Sequence, residues 1–213
     1  MSTARSASAT RRPFGWRRPL TVLLVGVLAP TVIFLALGFE VRGKGTWGWD
    51  SAVLDLLRDQ PVRLPDDLLH VEGPAAAVAG CLFVLLLATK RWRDAVMFAV
   101  ALGGALMLET LLKPMFPRPS LSGDGDASFP SGYAIVSMTA AGAVILFAWG
   151  TRWRRAAVLV GVAAVLVPGL ALVDSRWHYP SDVVAGWFVG VGWVSLVWLV
   201  ASSPFLGRAR SLL

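Results

Sequence analysis

Leu20 to Gly38 runs for nineteen residues without a charge, and comparable uncharged runs recur at Gly73–Thr89, Ser131–Gly150, Ala156–Val173 and Val183 to about Ser202. A further run, from about Asp94 to Leu112, is interrupted inside only by Glu109. At a helical rise of about 1.5 Å per residue, nineteen residues cross a hydrocarbon layer of roughly 30 Å. Composition agrees: 56% of the 213 residues are hydrophobic and 15% charged, too apolar for a soluble domain. The expected fold is all-α, a polytopic membrane protein of six transmembrane helices. Residues 1–18, rich in Ser, Ala and Arg, read as a disordered basic tail. One membrane domain then covers 19–203, with a short tail at 204–213. A cleavable signal peptide is the competing reading of the start. Its apolar region would be about 7–15 residues long, shorter than this run, and Ala36-Leu37-Gly38 is only a passable cleavage site.

The segments between the runs set the topology. Trp47 to Leu57 reads as a short amphipathic segment at the membrane interface, followed by breaks at Pro61 and Pro65. Lys90-Arg91-Trp92-Arg93 and Arg152-Trp153-Arg154-Arg155 are tight basic turns. With six spans, thirteen of the twenty Lys and Arg residues fall on the side of the termini and seven on the other. That bias places the termini in the cytoplasm of a cell-membrane protein. Lys113, Arg118, Arg176 and His178 then face outward together. The net charge of +7 is thus a matter of topology, and no nucleic-acid partner is expected. A single cysteine, Cys81, excludes a disulfide framework and a cysteine-based zinc site.

Within the outward segments, Ser175-Arg176-Trp177-His178-Tyr179-Pro180-Ser181-Asp182 carries the most chemistry. His178 and Asp182 are four apart and share one helix face if the last span begins here. An Asp beside a His fixes its tautomer and stabilises its cation, which prepares a nucleophilic or basic imidazole. The bland reading is a helix start, with Pro180 and Ser181 opening it and the charges wetted at the membrane surface. Phe129-Pro130-Ser131-Gly132-Tyr133 opens the fourth span with free backbone N–H groups at a positive dipole end. Lys113, Arg118 and Arg176 add three cations. Phosphate fits this set best, since Arg binds it bidentately and Lys supplies a point charge. Neither a Gly-rich phosphate loop nor a cluster of metal-binding carboxylates accompanies them.

Lys113…Arg118-Pro119, then Pro130-Ser131-Gly132, then Ser175-Arg176…His178-x-x-x-Asp182, on six spans, resembles the type 2 phosphatidic acid phosphatase superfamily. These are integral membrane lipid phosphatases related to vanadium haloperoxidases. The resemblance covers roughly residues 50–200. It implies that His178 attacks phosphorus and becomes a phosphohistidine, oriented by Asp182. Lys113, Arg118 and Arg176 would neutralise the phosphoryl oxygens, helped by Ser131 and the Gly132 amide. No cofactor or metal is implied, and the partners would be a lipid phosphate substrate and membrane lipids.

The chain departs from the family pattern at three places. Tyr133 stands where the second motif ends in a His that protonates the leaving oxygen. Four residues instead of six separate Lys113 from Arg118-Pro119, which leaves Ser120 and Leu121 where the usual Arg-Pro would fall. Only Trp177, instead of five residues, separates Arg176 from His178. Tyr has an ordinary pKa of about 10 against about 6.5 for His, so Tyr133 is poorly matched to shuttle a proton near neutral pH. A lipid monophosphate leaving group, with a second pKa around 6, needs little protonation. A lipid diphosphate such as a polyprenyl diphosphate is therefore favoured over phosphatidic acid.

The alternative function is a degenerate member that binds a phospholipid or prenyl phosphate headgroup without turnover. A small transporter fits less well, because the ionisable residues gather at one surface and not at the midplane. Glu109, one turn before Lys113, reads either as its ion-pair partner at the membrane edge or as a participant in proton transfer. His70 reads as a solvated loop residue, and Asp124 and Asp126 as turn formers. Gly103, Gly104 and Gly186-x-x-x-Gly190 are expected to allow close helix packing. Trp187, Trp193 and Trp198 are expected to face lipid or the interface.

Overall fold

A computed structural model describes residues 19–58, 72–123 and 127–203. His70, Asp124, Asp126, both tails and the prolines at 61 and 65 lie outside the described residues. Each apolar run forms a helix. The first, α1, spans Pro19–Val41. Pro30 has no N–H for the regular ladder, and the turns just before it, Val22–Leu28, are π-wound. A short helix, α2, spans Gly48–Arg58 and matches the amphipathic segment, with Asp50 and Leu54 on its buried face. Then come α3 (Glu72–Ala88), α4 (Trp92–Leu112), α5 (Gly132–Ala148), α6 (Arg154–Asp174) and α7 (Pro180–Ala201).

Among the described residues, four helices are long and apolar enough to cross a membrane: α1, α4 with its 3₁₀ extension to Met115, α6 and α7. The other two apolar helices, α3 and α5, have seventeen residues each, about 26 Å of helix. The basic turns are shorter than expected, because α4 starts at Trp92 and α6 at Arg154. Lys90 makes the first turn tight. It sits in the left-handed region (φ 56°), and Lys90 and Arg91 donate their N–H groups to the carbonyls of Leu87 and Leu86. That pair of bonds closes a helix with a Schellman motif.

The last helix, α7, is the hub, packing against α1, α2, α4, α5 and α6. Gly186 and Gly190 face α5, where an added Cβ would lie 2.6 Å from the Ser131 oxygen and 2.8 Å from the Ile135 oxygen respectively. These glycines bring the two backbones together, as small residues do between membrane helices. Gly104 serves Trp193 in the same way, whereas Gly103 faces open space.

The tryptophans of α7 correct the expectation that they face lipid. Trp193 lies over Gly104 and its Nε1–H donates to the Ala101 carbonyl at 2.8 Å. Trp187 covers Gly169, and Trp198 is buried. A wide ring seated on a glycine fills interhelical space that no smaller side chain would fill. The outward faces instead carry exposed Val and Leu, among them Val25, Val32, Leu159 and Val160.

Candidate active site

The site is built where α5 and α7 begin side by side. The Ser131 N–H donates to the Asp182 carbonyl at 3.1 Å, joining the two helix starts through their backbones. Ser131, Gly132, Pro180, Ser181 and Asp182 are all buried. Tyr179 caps α7 in extended backbone geometry, and its N–H donates to Asp182 Oδ2 at 3.0 Å. The Asp182 carboxylate thus belongs to the helix cap as well as to the site.

His178 stands just before this cap, with Nδ1 3.5 Å from Asp182 Oδ2. That is close enough for attraction but long for a hydrogen bond, and Nδ1 is buried without a hydrogen-bond partner. The Ser131 hydroxyl is likewise buried and unpartnered. Leaving such a group unsatisfied costs about 1–3 kcal/mol, and both atoms keep bonding capacity that a ligand could use.

Arg118 is different. Its side chain is fully buried, and all five of its N–H donors meet acceptors within the protein. Nε and Nη2 donate to the Gly45 carbonyl at 3.1 and 2.7 Å, and Nη2 also donates to Asp50 Oδ2 at 2.6 Å. Nη1 donates to the Ser181 hydroxyl at 2.6 Å and to Asp182 Oδ1. The guanidinium also lies 3.8 Å above the Tyr179 ring. Burial raises the Tyr179 phenol above its ordinary pKa, with the Arg118 charge pulling the other way. Asp50 completes the network, accepting from the Ser181 N–H at 2.9 Å and the Ser181 hydroxyl at 2.7 Å.

Lys113 sits on the 3₁₀ turn that ends α4 and pairs with Glu109 at 3.1 Å. The Glu109 carboxylate does more than neutralise it. A Cβ built on Gly132 would fall 2.0–2.2 Å from the carboxylate atoms, so Glu109 lies directly on the first residue of α5. A carboxylate, a lysine and a helix start thus share one spot. Tyr133 packs against the cluster that holds Leu54, Tyr179 and Val183.

Arg176 is exposed and ends α6. It adopts φ 60°, its N–H donates to the Val173 carbonyl, and the Trp177 N–H donates to Leu172. Those are the two bonds of a Schellman cap, with Arg where Gly is usual. Its guanidinium reaches the Leu54 carbonyl of α2 at 3.3 Å. The expected residues therefore divide. His178, Asp182, Ser131 and Gly132 are joined directly, Lys113 is joined through Glu109, and Arg118 and Arg176 are held by protein groups.

Sequence reasoning missed Asp50. The signal was present, because Asp50, Val53, Leu54 and Leu57 recur at i, i+3, i+4 and i+7, placing an acid within the apolar stripe of α2.

A family model described as the PAP2 superfamily matches residues 110–204. Those residues make up just under half of the chain. The undecaprenyl-diphosphatase of Sulfolobus acidocaldarius is 32% identical to this chain over 81 residues, which are 38% of the chain and 34% of that protein. The chain therefore spans about a third of the length of the curated relative it matches. Among solved structures, the first transmembrane PAP2 type phosphatidylglycerolphosphate phosphatase from Bacillus subtilis matches with a TM-score of 0.62 and 18% identity. The match covers 80% of this chain and 93% of that one, and the likeness is one of fold. With its long apolar helices, the chain is a multi-pass membrane protein that shares this fold.

Proposed function

We propose that the protein hydrolyses a lipid phosphate or diphosphate through a phosphohistidine at His178. The observation that carries this reading is the His178–Asp182 pair set against the start of α5, where the buried Ser131 hydroxyl lacks a partner. Nδ1 faces Asp182, leaving Nε2 as the nucleophile. Nε2 attacks phosphorus and a P–N bond forms. The bond from phosphorus to the lipid oxygen breaks, and the leaving oxygen takes up a proton or departs as the anion. Water then attacks phosphorus, the P–N bond breaks, and inorganic phosphate leaves with the imidazole restored. Lys113, Ser131 and the Gly132 N–H receive the phosphoryl oxygens, and the scheme uses only protein groups.

Tyr133 favours a leaving group that needs little protonation, which points to a prenyl diphosphate ahead of phosphatidic acid. The name of the Sulfolobus acidocaldarius relative, undecaprenyl-diphosphatase, agrees with that choice. Six spans with cytoplasmic termini turn the site outward, and the Lys and Arg distribution supports this topology.

The test is inorganic phosphate release by the purified protein in detergent with chelator, comparing a polyprenyl diphosphate with phosphatidic acid. Turnover lost in His178→Ala, with the diphosphate preferred, is the expected result. Faster hydrolysis of phosphatidic acid at equal surface concentration would overturn the substrate assignment. A second reading, headgroup binding without turnover, draws on the Glu109 carboxylate lying on Gly132. Lipid binding with no phosphate release in any form would select it.

A further inference from the structure

We infer that Asp50 is a positioning residue for the His178–Asp182 pair, acting through Arg118 and Ser181. The inference deepens the phosphohistidine reading and rests on it. Asp50 lies on α2, outside the matched segment 110–204. It is nonetheless as buried as Asp182, each at 0% exposure.

Each Asp50 oxygen is committed to the first turn of α7 or to Arg118. Oδ1 accepts the Ser181 N–H, one of the free donors at the helix start, and Oδ2 accepts the Ser181 hydroxyl and Arg118 Nη2. Arg118 then holds Asp182 Oδ1. The other oxygen of Asp182 faces His178 Nδ1. A line of contacts therefore runs from Asp50 through Arg118 to the carboxylate that orients the imidazole. Two acids flank one guanidinium in a site closed to water, where such geometry is held rigidly.

Without Asp50, the Nη2 end of Arg118 keeps only the Gly45 carbonyl, and the whole positive charge falls on Asp182. Arg118 would pull Asp182 from its place beneath His178. The same network explains why Arg118 is not a phosphate ligand, since its donors are all spent. Asp50 touches neither substrate nor the reacting atoms, so its removal acts on the chemical step and spares substrate binding.

The experiment measures kcat and KM for a polyprenyl diphosphate on monodisperse protein in detergent, comparing wild type with Asp50→Asn. The expected result is a fall in kcat on the order of 10²-fold, as a misplaced catalytic group gives, with KM changed by less than about threefold. A folded variant with wild-type kcat overturns the inference, and so does a loss confined to KM. If Asp50→Asn does not fold, Ser181→Ala decides, since it keeps the Asp50–Arg118 pair and removes one link. About a tenfold loss of kcat at constant KM supports the inference, and unchanged kcat ends it.

Wild type that releases no His178-dependent phosphate fails the phosphatase reading by itself. Carbethoxylation of His178, followed by mass spectrometry, then tests the positioning without substrate. A rate altered by more than about threefold in whichever of the two variants folds supports it, and an equal rate refutes it.

Discussion

The two cationic centres at this end of the bundle are opposites. Around Arg118 every donor has an acceptor, and the side chains of Arg118, Asp50 and Asp182 are closed to solvent. Around Lys113 the single ion pair is about one-third exposed, and it lies on the start of α5, where the Ser131 hydroxyl has no hydrogen-bond partner. A saturated network has nothing left to offer a ligand, and its work is to hold the polypeptide in place. An unsaturated one carries a cost that only an incoming group relieves. The same residue types, a cation beside carboxylates at a helix start, therefore serve scaffold in one place and chemistry in the other.

The sharpest way to separate the centres is His178→Ala. Phosphate release is expected to fall by at least about 10³-fold while thermal stability changes little, because loss of a nucleophile removes the chemical step. Arg118→Met should act on stability as well as on turnover. It leaves Asp50 and Asp182 as buried unpaired charges and is expected to cost about 3–5 kcal/mol, read as a large drop in the unfolding midpoint. Normal stability in that variant would erase the distinction between the centres.

Glu109→Gln is a gentler probe. With the carboxylate gone from Gly132, Lys113 is free for phosphate, so inhibition by inorganic phosphate should tighten by about fivefold with kcat nearly constant. A collapse of kcat would instead assign Glu109 to proton transfer. Arg176→Gly should have the smallest effect, a stabilisation of up to about 1 kcal/mol as the left-handed residue loses its Cβ. A raised KM in that variant would show that Arg176 leaves Leu54 to meet the phosphate.

The helices were legible because uncharged runs of membrane length have few alternatives. Which way their side chains face was not. α4, α5 and α7 are apolar all round, so nothing in the pattern tells an inward Trp193 from a lipid-facing one; only Gly104, on another helix and far away along the chain, makes its seat. His178, Asp182, Ser131 and Gly132 were readable because they sit at helix starts, where local chemistry limits what a polar residue does. Arg118 was not, since its partners Gly45 and Asp50 come from a segment some seventy residues earlier. Spacing along the chain carries no information about a contact of that kind. Asp50 alone left a trace, as the acid in an apolar stripe.

One consequence follows from α5 and α7 starting together. The Ser131–Asp182 bond and the close approach at Gly186 hold the two helices parallel at this end, with their positive poles adjacent. Like poles repel, each equivalent to about half an elementary charge, and the resting protein offsets them with its own carboxylates. An oxyanion lodged between the poles would do so better. Occupancy and folding are then linked functions. Vanadate or phosphate at saturating concentration should raise the melting temperature of the His178→Ala protein as well as the wild type, making the empty site the least stable form of the molecule.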